Sequence, residues 1–350
     1  MRPGVEVTEL ASGLRVASEL RPDVNGVAFG AWVRVGSRDE DVADAGVSHL
    51  LEHLLFRGTA RHDALAIAEA YDRFGSDLAA STSREETDLN ARVLQEHLGE
   101  AIDIAGSMVV APSFNDIEPE REVVLEELAL YEDTPDDLVH DILGETLFPD
   151  QALGRPIAGT VETVEAIDEA MIRAHHGRHY TGDQTVVAVV GPVEHAEVIA
   201  MVEGAFDGIG RGVVHDRRDA REARGATAFL ERDTEQTHVA VGGIGISRKD
   251  ERRFALAVAD QIIGGGAASR FWQEIRERRG LVYSVYTYVT SFDEAGQVGF
   301  ALGTRPDNLD EALAIAGAEL ADLAAGNFRD GEIERARDNL KARLLLTMDS

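Results

Sequence analysis

Cysteine does not occur in the 350 residues. Its absence excludes disulfide staples, thiolate nucleophiles and thiolate metal sites together. Any transition metal must then be held by histidine and carboxylate. Long hydrophobic runs are also missing: nothing approaches the roughly 20 apolar residues that cross a bilayer. The opening MRPGVEVTEL carries no apolar stretch to act as a secretory signal, so the chain reads as cytoplasmic, with no membrane partner. Lysine is nearly absent, Lys249 and Lys341 being the only two, which we take as coding bias in favour of arginine. Net positive charge is lacking as well. With 34 basic against 64 acidic residues the formal charge is −30. Such a surface repels phosphate backbones and argues against nucleic acid as a partner, while it favours basic peptides. What remains is 44% hydrophobic and 28% charged, a globular profile, in a chain long enough for two domains with separate cores.

The hydrophobic pattern predicts an α+β fold. Residues 5–10 and 14–17 read as a hairpin around Ser12-Gly13, and 26–36 as a strand. Helical spacing follows over 47–56 and 64–74, strands around 77–83 and 88–93, and helices over 95–110 and 118–131, the last broken before Pro135. A helix at 168–176, a buried strand at 185–190 and a helix at 195–206 complete a first domain, residues 1–208. The Gly- and charge-rich stretch 209–225 reads as a linker. Residues 226–350 then echo the first domain: VAFGAWVRVGSRDE at 27–40 resembles VAVGGIGISRKDE at 239–251, and a helix ending in glycine follows each. In the second copy the stretch facing HLLEH is Leu256-Ala257-Val258-Ala259-Asp260, so metal chemistry belongs to the first copy alone. The second copy stops inside a helical pattern at Met348-Asp349-Ser350 without a cap, and the repeat leads us to expect that it is incomplete.

His49-Leu50-Leu51-Glu52-His53 is the most specific signal. Residues four apart share a helix face, so both imidazoles can address one ion, while Glu52 lies on the rim of that face, placed to polarise water instead of ligating. Leu50, Leu51, Leu54 and Leu55 would lock the helix into the core. A catalytic zinc takes three protein ligands and keeps a position for water. The third ligand should come from the helix that contains Glu120 and Glu127, which are seven apart and share a face; Val123, Val124 and Leu128 are its expected packing stripe. Glu127 can coordinate while Glu120 holds a ligand histidine, and Glu126 is the rival ligand on spacing alone.

At these residues the chain resembles the inverted-zincin peptidases of the M16 family, which includes pitrilysin, insulin-degrading enzyme and the mitochondrial processing peptidase. It is most similar to the short bacterial and processing-peptidase branch. The resemblance rests on HLLEHLLFRGT (49–59), STSREETDLNARV (81–93), EREVVLEEL (120–128), GRPIAGT (154–160) and SRFWQEIRERRGLVYSV (269–285), in order along almost the whole chain. It implies two homologous α/β sandwich domains, a Zn2+ cofactor, His49, His53 and Glu127 as ligands, Glu52 as general base and Glu120 as an accessory carboxylate. In the second domain Arg276 and Tyr283 match the pair that stabilises the tetrahedral intermediate. Ala79, Ala80 and Ser81 match the strand that binds substrate by β-augmentation, with Ala79-Ala80 where the family usually has Asn-Ala. The implied activity is a zinc endopeptidase acting on unfolded or presequence-like peptides. Because both residue sets lie on one chain, the implied assembly is a homodimer, with a heterodimer of related subunits as the lesser option. The contrasting expectation is a non-catalytic structural or partner subunit of such an assembly.

Overall fold

Residues 4–349, apart from 215–216, 218–219 and 221–224, are described by the structure, a computed structural model. Much of the expected 209–225 linker therefore lies outside the described residues. The first strands, β1 (Val5–Glu9) and β2 (Arg15–Leu20), form the predicted antiparallel hairpin. Then come β3 (Gly26–Val33), α1 (Val47–Leu55), α2 (Ala64–Phe74), β4 (Ala79–Thr82), β5 (Thr87–Leu94), α3 (Leu98–Val110) and α4 (Ile117–Glu132). Next are α5 (Pro135–Leu147), α6 (Val161–Ala166), α7 (Glu169–His179), β6 (Thr185–Gly191) and α8 (His195–Ala205). The remainder is β7 (Thr237–Gly245), α9 (Arg253–Ile263), β8 (Val282–Ser291), β9 (Gly296–Thr304), α10 (Leu309–Ala324) and α11 (Glu332–Asp349).

The chain divides into two compact units, Met1–Leu130 with Arg155–Asp216, and Tyr131–Gly154 with Arg217–Ser350. This division differs from the boundary read at 208 in that α5, which lies well before it, belongs to the second unit. Leu143, Leu147 and Phe148 form a cluster with Phe292 and Ala295, which lie far along the sequence.

In the first unit one sheet runs β1-β2-β6-β3-β5-β4. Only β2 and β6 pair in parallel; the other neighbours are antiparallel. Alternation puts Val27, Phe29, Ala31 and Val33 of β3 into the core together with Val187 and Val189 of β6. Helices α3 and α1 bury their apolar sides there: Ile102, Ala105 and Met108 from one, and Leu50, Leu51, Leu54 and Leu55, all fully buried, from the other. Strand β4 ends the sheet, so one of its edges is unpaired within the sheet, and α1 packs beside it. In the second unit the order β7-β9-β8 repeats the β3-β5-β4 arrangement, again with the first strand feeding a helix. The internal repeat read from 27–40 and 239–251 is thus a repeat of topology.

Candidate metal centre

The helix that carries the histidines is pinned at its N-terminus. Gly46 takes φ +96, where a side chain would be strained and a Cβ would meet the Ala158 carbonyl oxygen at 2.6 Å. The buried Glu40 carboxylate accepts the Gly46 N–H at 2.9 Å and the Ser48 N–H at 2.8 Å, satisfying donors that a helix start leaves open. Burial nevertheless pushes the Glu40 carboxyl up to about 7. Ser48 Oγ also meets His175 Nε2 of α7 at 3.1 Å in a buried contact. With one face fixed in the core, α1 turns His49, Glu52 and His53 toward partial exposure.

The two imidazoles lie 4.8 Å apart between ring centres, nearly edge to face. Glu127 on α4 meets both: its Oε2 is 3.6 Å from His49 Nε2 and 3.7 Å from His53 Nε2. Ligand atoms about 2.0–2.1 Å from a tetrahedral zinc are about 3.4 Å apart, so this donor set fits such an ion. Among the described residues, His49, His53 and Glu127 are the one group of three or more such side chains close enough to share a metal. Glu120, buried on the same helix, takes His53 Nδ1 at 3.2 Å on one oxygen and is paired with Arg57 on the other. With Nδ1–H directed at Glu120, Nε2 is the ring atom left for a metal. Burial, reinforced by the neighbouring His53, pulls the His49 imidazole down to about 4, so it is neutral and free to ligate at physiological pH.

Glu52 stands on the same helix, half-buried, and burial raises its carboxyl above the ordinary range. A hydrogen bond from Thr82 of β4 opposes that rise, while Asp88 and Glu127 add to it. A carboxyl raised in this way is a better proton acceptor than an exposed one. Of the stripe expected on α4, Val124 is fully buried and Leu128 partly so, but Val123 is 43% exposed, and Leu125 packs against the core in its place.

Residues 15–161 match the family described as Insulinase (Peptidase family M16), and residues 166–340 match its Peptidase M16 inactive domain. An uncharacterized zinc protease of Streptomyces coelicolor is 41% identical over 99% of this chain and 77% of its own length. One of Bacillus subtilis is 33% identical over 97% of this chain and 83% of its own. The chain belongs to the M16 peptidase family. Its fold is also that of a protease from Helicobacter pylori, with a TM-score of 0.91 at 22% identity over 99% of this chain and 86% of that one. The complex III structure from Candida albicans shares the fold too, with a TM-score of 0.85 at 21% identity over 98% of this chain and 82% of the other.

In this M16 chain the residues expected to touch substrate fall as follows. Ala79, Ala80 and Ser81 lie on the edge strand β4, with Ala79 and Ser81 exposed. The register sets Ala79 opposite Asn90, so an amide lies across from the position where the family usually has Asn. In the second unit Arg276 sits in a π-helical turn, Trp272–Glu277, and Tyr283 on β8 after Gly280, whose φ is +63. The Arg276 guanidinium lies 3.9 Å from the Trp272 ring centre and 5.6 Å from that of Tyr283, which is 79% exposed. Sequence reasoning missed Trp272, Arg57 and Glu40. Trp272 could have been found from its spacing, four residues before Arg276 on one helical face.

Among the described residues, no helix is long and apolar enough to cross a membrane.

Proposed function

We propose that this protein is a zinc-dependent endopeptidase that cleaves unfolded or presequence-like peptides. The reading rests on one observation: two imidazole nitrogens and a carboxylate oxygen from a separate helix converge within ion-sharing distance, with Glu52 beside them. Zinc held by His49, His53 and Glu127 would supply Lewis acidity that brings water within reach of ionisation near neutral pH. Glu52 is then the base: it takes a proton from water as the oxygen attacks the scissile carbonyl carbon. As the C–N bond breaks it delivers that proton to the leaving amine. Glu120 keeps His53 in the ligating tautomer, and Arg57 pairs with the other Glu120 oxygen. An extended peptide adds to the free edge of β4 through main-chain hydrogen bonds, and Arg276 and Tyr283 are assigned as donors to the negative charge that develops on the carbonyl oxygen.

The formal charge of −30 supports a preference for basic peptides; cleavage of matched basic and acidic peptides at low salt tests it, and equal rates would count against it. The zinc ligands, the base and the Arg276–Tyr283 pair on a single chain favour a homodimer. A non-catalytic subunit is the second reading, favoured by the fold shared with complex III and by Ala79; the presence of all four metal-centre residues weighs against it. Glu52→Gln separates the two. Zinc content should be unchanged while chelator-sensitive peptide hydrolysis is abolished, because the base is removed and the ligands are not. Hydrolysis that survives in Glu52→Gln, or is absent from the zinc-loaded parent, removes the enzymatic reading.

A further inference from the structure

The second unit repeats the architecture of the metal centre with other chemistry in it. In the first unit α4 lies against α1 and presents Glu120 and Glu127, seven residues apart, with buried Glu120 neutralised by Arg57 from just beyond α1. In the second, α11 packs on α9. It presents Glu332 and Asn339, again seven apart, with Glu332 buried and held by Arg270 from the segment that follows α9. Where the first unit gathers two histidines and a carboxylate, this one has a cavity of about 210 Å³ lined by Gln261, Gly265, Ser269, Arg335, Asn339 and Arg343.

The electrostatic sign of the two places is opposite. Arg335 and Arg343 are eight apart on α11, with Asn339 midway, so the three form one stripe along the helix. Neither arginine has an ion-pair partner among the described residues, in a chain with nearly twice as many acidic as basic side chains. The one carboxylate in the lining, Glu332, is already committed to Arg270 and to the Arg329 N–H at 2.9 Å. The other polar lining groups are the Asn339 amide, the Gln261 amide, which donates to the Gly265 carbonyl at 3.1 Å, and the Ser269 hydroxyl; Gly265, Gly266 and apolar side chains complete the wall. Two guanidinium groups and side-chain amides around a small cavity suit an oxyanion.

We propose that this cavity is a binding site for a small oxyanion, either a phosphate or the free carboxylate at a peptide C-terminus. The test titrates the full chain by calorimetry with inorganic phosphate, with an N-acetylated dipeptide bearing a free carboxylate, and with the same dipeptide as its C-terminal amide. Saturable binding of phosphate, of the free acid or of both is expected, weakening as salt is raised, with no binding of the amide. Phosphate alone would identify a phosphate ligand, and the free acid alone a peptide terminus. R335Q/R343Q should weaken that binding by about tenfold or more, since each charged hydrogen-bond partner is worth at least that. R335K/R343K should fall between, because lysine keeps the charge but loses the fork. R337Q, which removes an exposed arginine already paired with Asp338 on the same helix, should leave it unchanged and shows that the helix tolerates the exchange. Any anion binding that is equally strong in R335Q/R343Q belongs elsewhere, at the zinc centre for instance. That result, or no binding of either anion, overturns the proposal.

Discussion

Replacing Glu120 by glutamine should loosen the hold on the metal without unfolding the protein. The Glu120 carboxylate is 3% exposed, takes His53 Nδ1 at 3.2 Å and faces Arg57. Glutamine fills the same space and can still accept one hydrogen bond. It removes the negative charge that makes His53 a stronger ligand and leaves Arg57 without its counter-ion. Loss of such an outer carboxylate lowers metal affinity about 10–100-fold, or about 1.4–2.7 kcal/mol. The Arg57 side chain is 40% exposed and can turn into water, so the metal-free fold should lose no more than about 1 kcal/mol. Competition against a chromophoric chelator measures the first quantity, and urea unfolding of the metal-free protein the second. Glu122→Gln, on the exposed side of the same helix, is the control and should change neither. Equal zinc affinity in Glu120→Gln and Glu122→Gln would refute the reasoning, because His53 would then gain nothing from the buried carboxylate.

Three further outcomes follow from the geometry. Glu40 has a folded pKa of about 7 against an ordinary 4.5, so the folded state holds a proton that the unfolded chain gives up. Its contribution is therefore fully present below pH 4.5 and is lost as pH rises to 7, amounting to about 3 kcal/mol; Glu40→Gln should flatten the stability curve over that window, and a slope equal to the parent's would contradict it. Leu54→Ala, at a fully buried position under the histidines, should cost about 3–4 kcal/mol in denaturant unfolding, whereas Val123→Ala should stay within about 0.5 kcal/mol; comparable losses would mean α4 is packed the other way round. Arg276→Ala should lower kcat/KM roughly a hundredfold with zinc content unchanged, and an unaltered rate would remove Arg276 from the reaction.

How much of this was legible in the sequence depended on the range of the interaction responsible. Elements set by local periodicity and caps were legible: α2 begins after the Asp63 cap and ends at Gly75, as its spacing predicts. The metal residues were legible because helical geometry fixes the relation of His49 to His53 and of Glu120 to Glu127. The choice of Glu127 over Glu126 needed the family resemblance, since spacing alone allowed either. Helix α5 was not legible. Pro135 reads as a stop, yet it occupies the first helical turn, where proline is tolerated, and the helix's apolar partner Phe292 lies far along the chain. The same distance hid Arg57, whereas Glu40 was hidden although its partners Gly46 and Ser48 are near in sequence. Charged side chains read as surface, and these are held by carboxylate and backbone groups that only the folded chain brings near them. The exposure of Val123 shows the limit of counting apolar residues, because Val123 and Val124 point to different sides of α4 and only one can face the core.

A zinc peptidase built on these residues needs one divalent ion to bridge the His49–His53 face and Glu127. Elemental analysis of the purified chain, after zinc loading and removal of excess, tests it most directly when run beside His53→Ala, Glu126→Gln and Glu127→Gln. About one zinc per chain is expected in the parent and in Glu126→Gln, and a large loss in His53→Ala and Glu127→Gln. Full zinc in Glu127→Gln, or none in the parent, would contradict it.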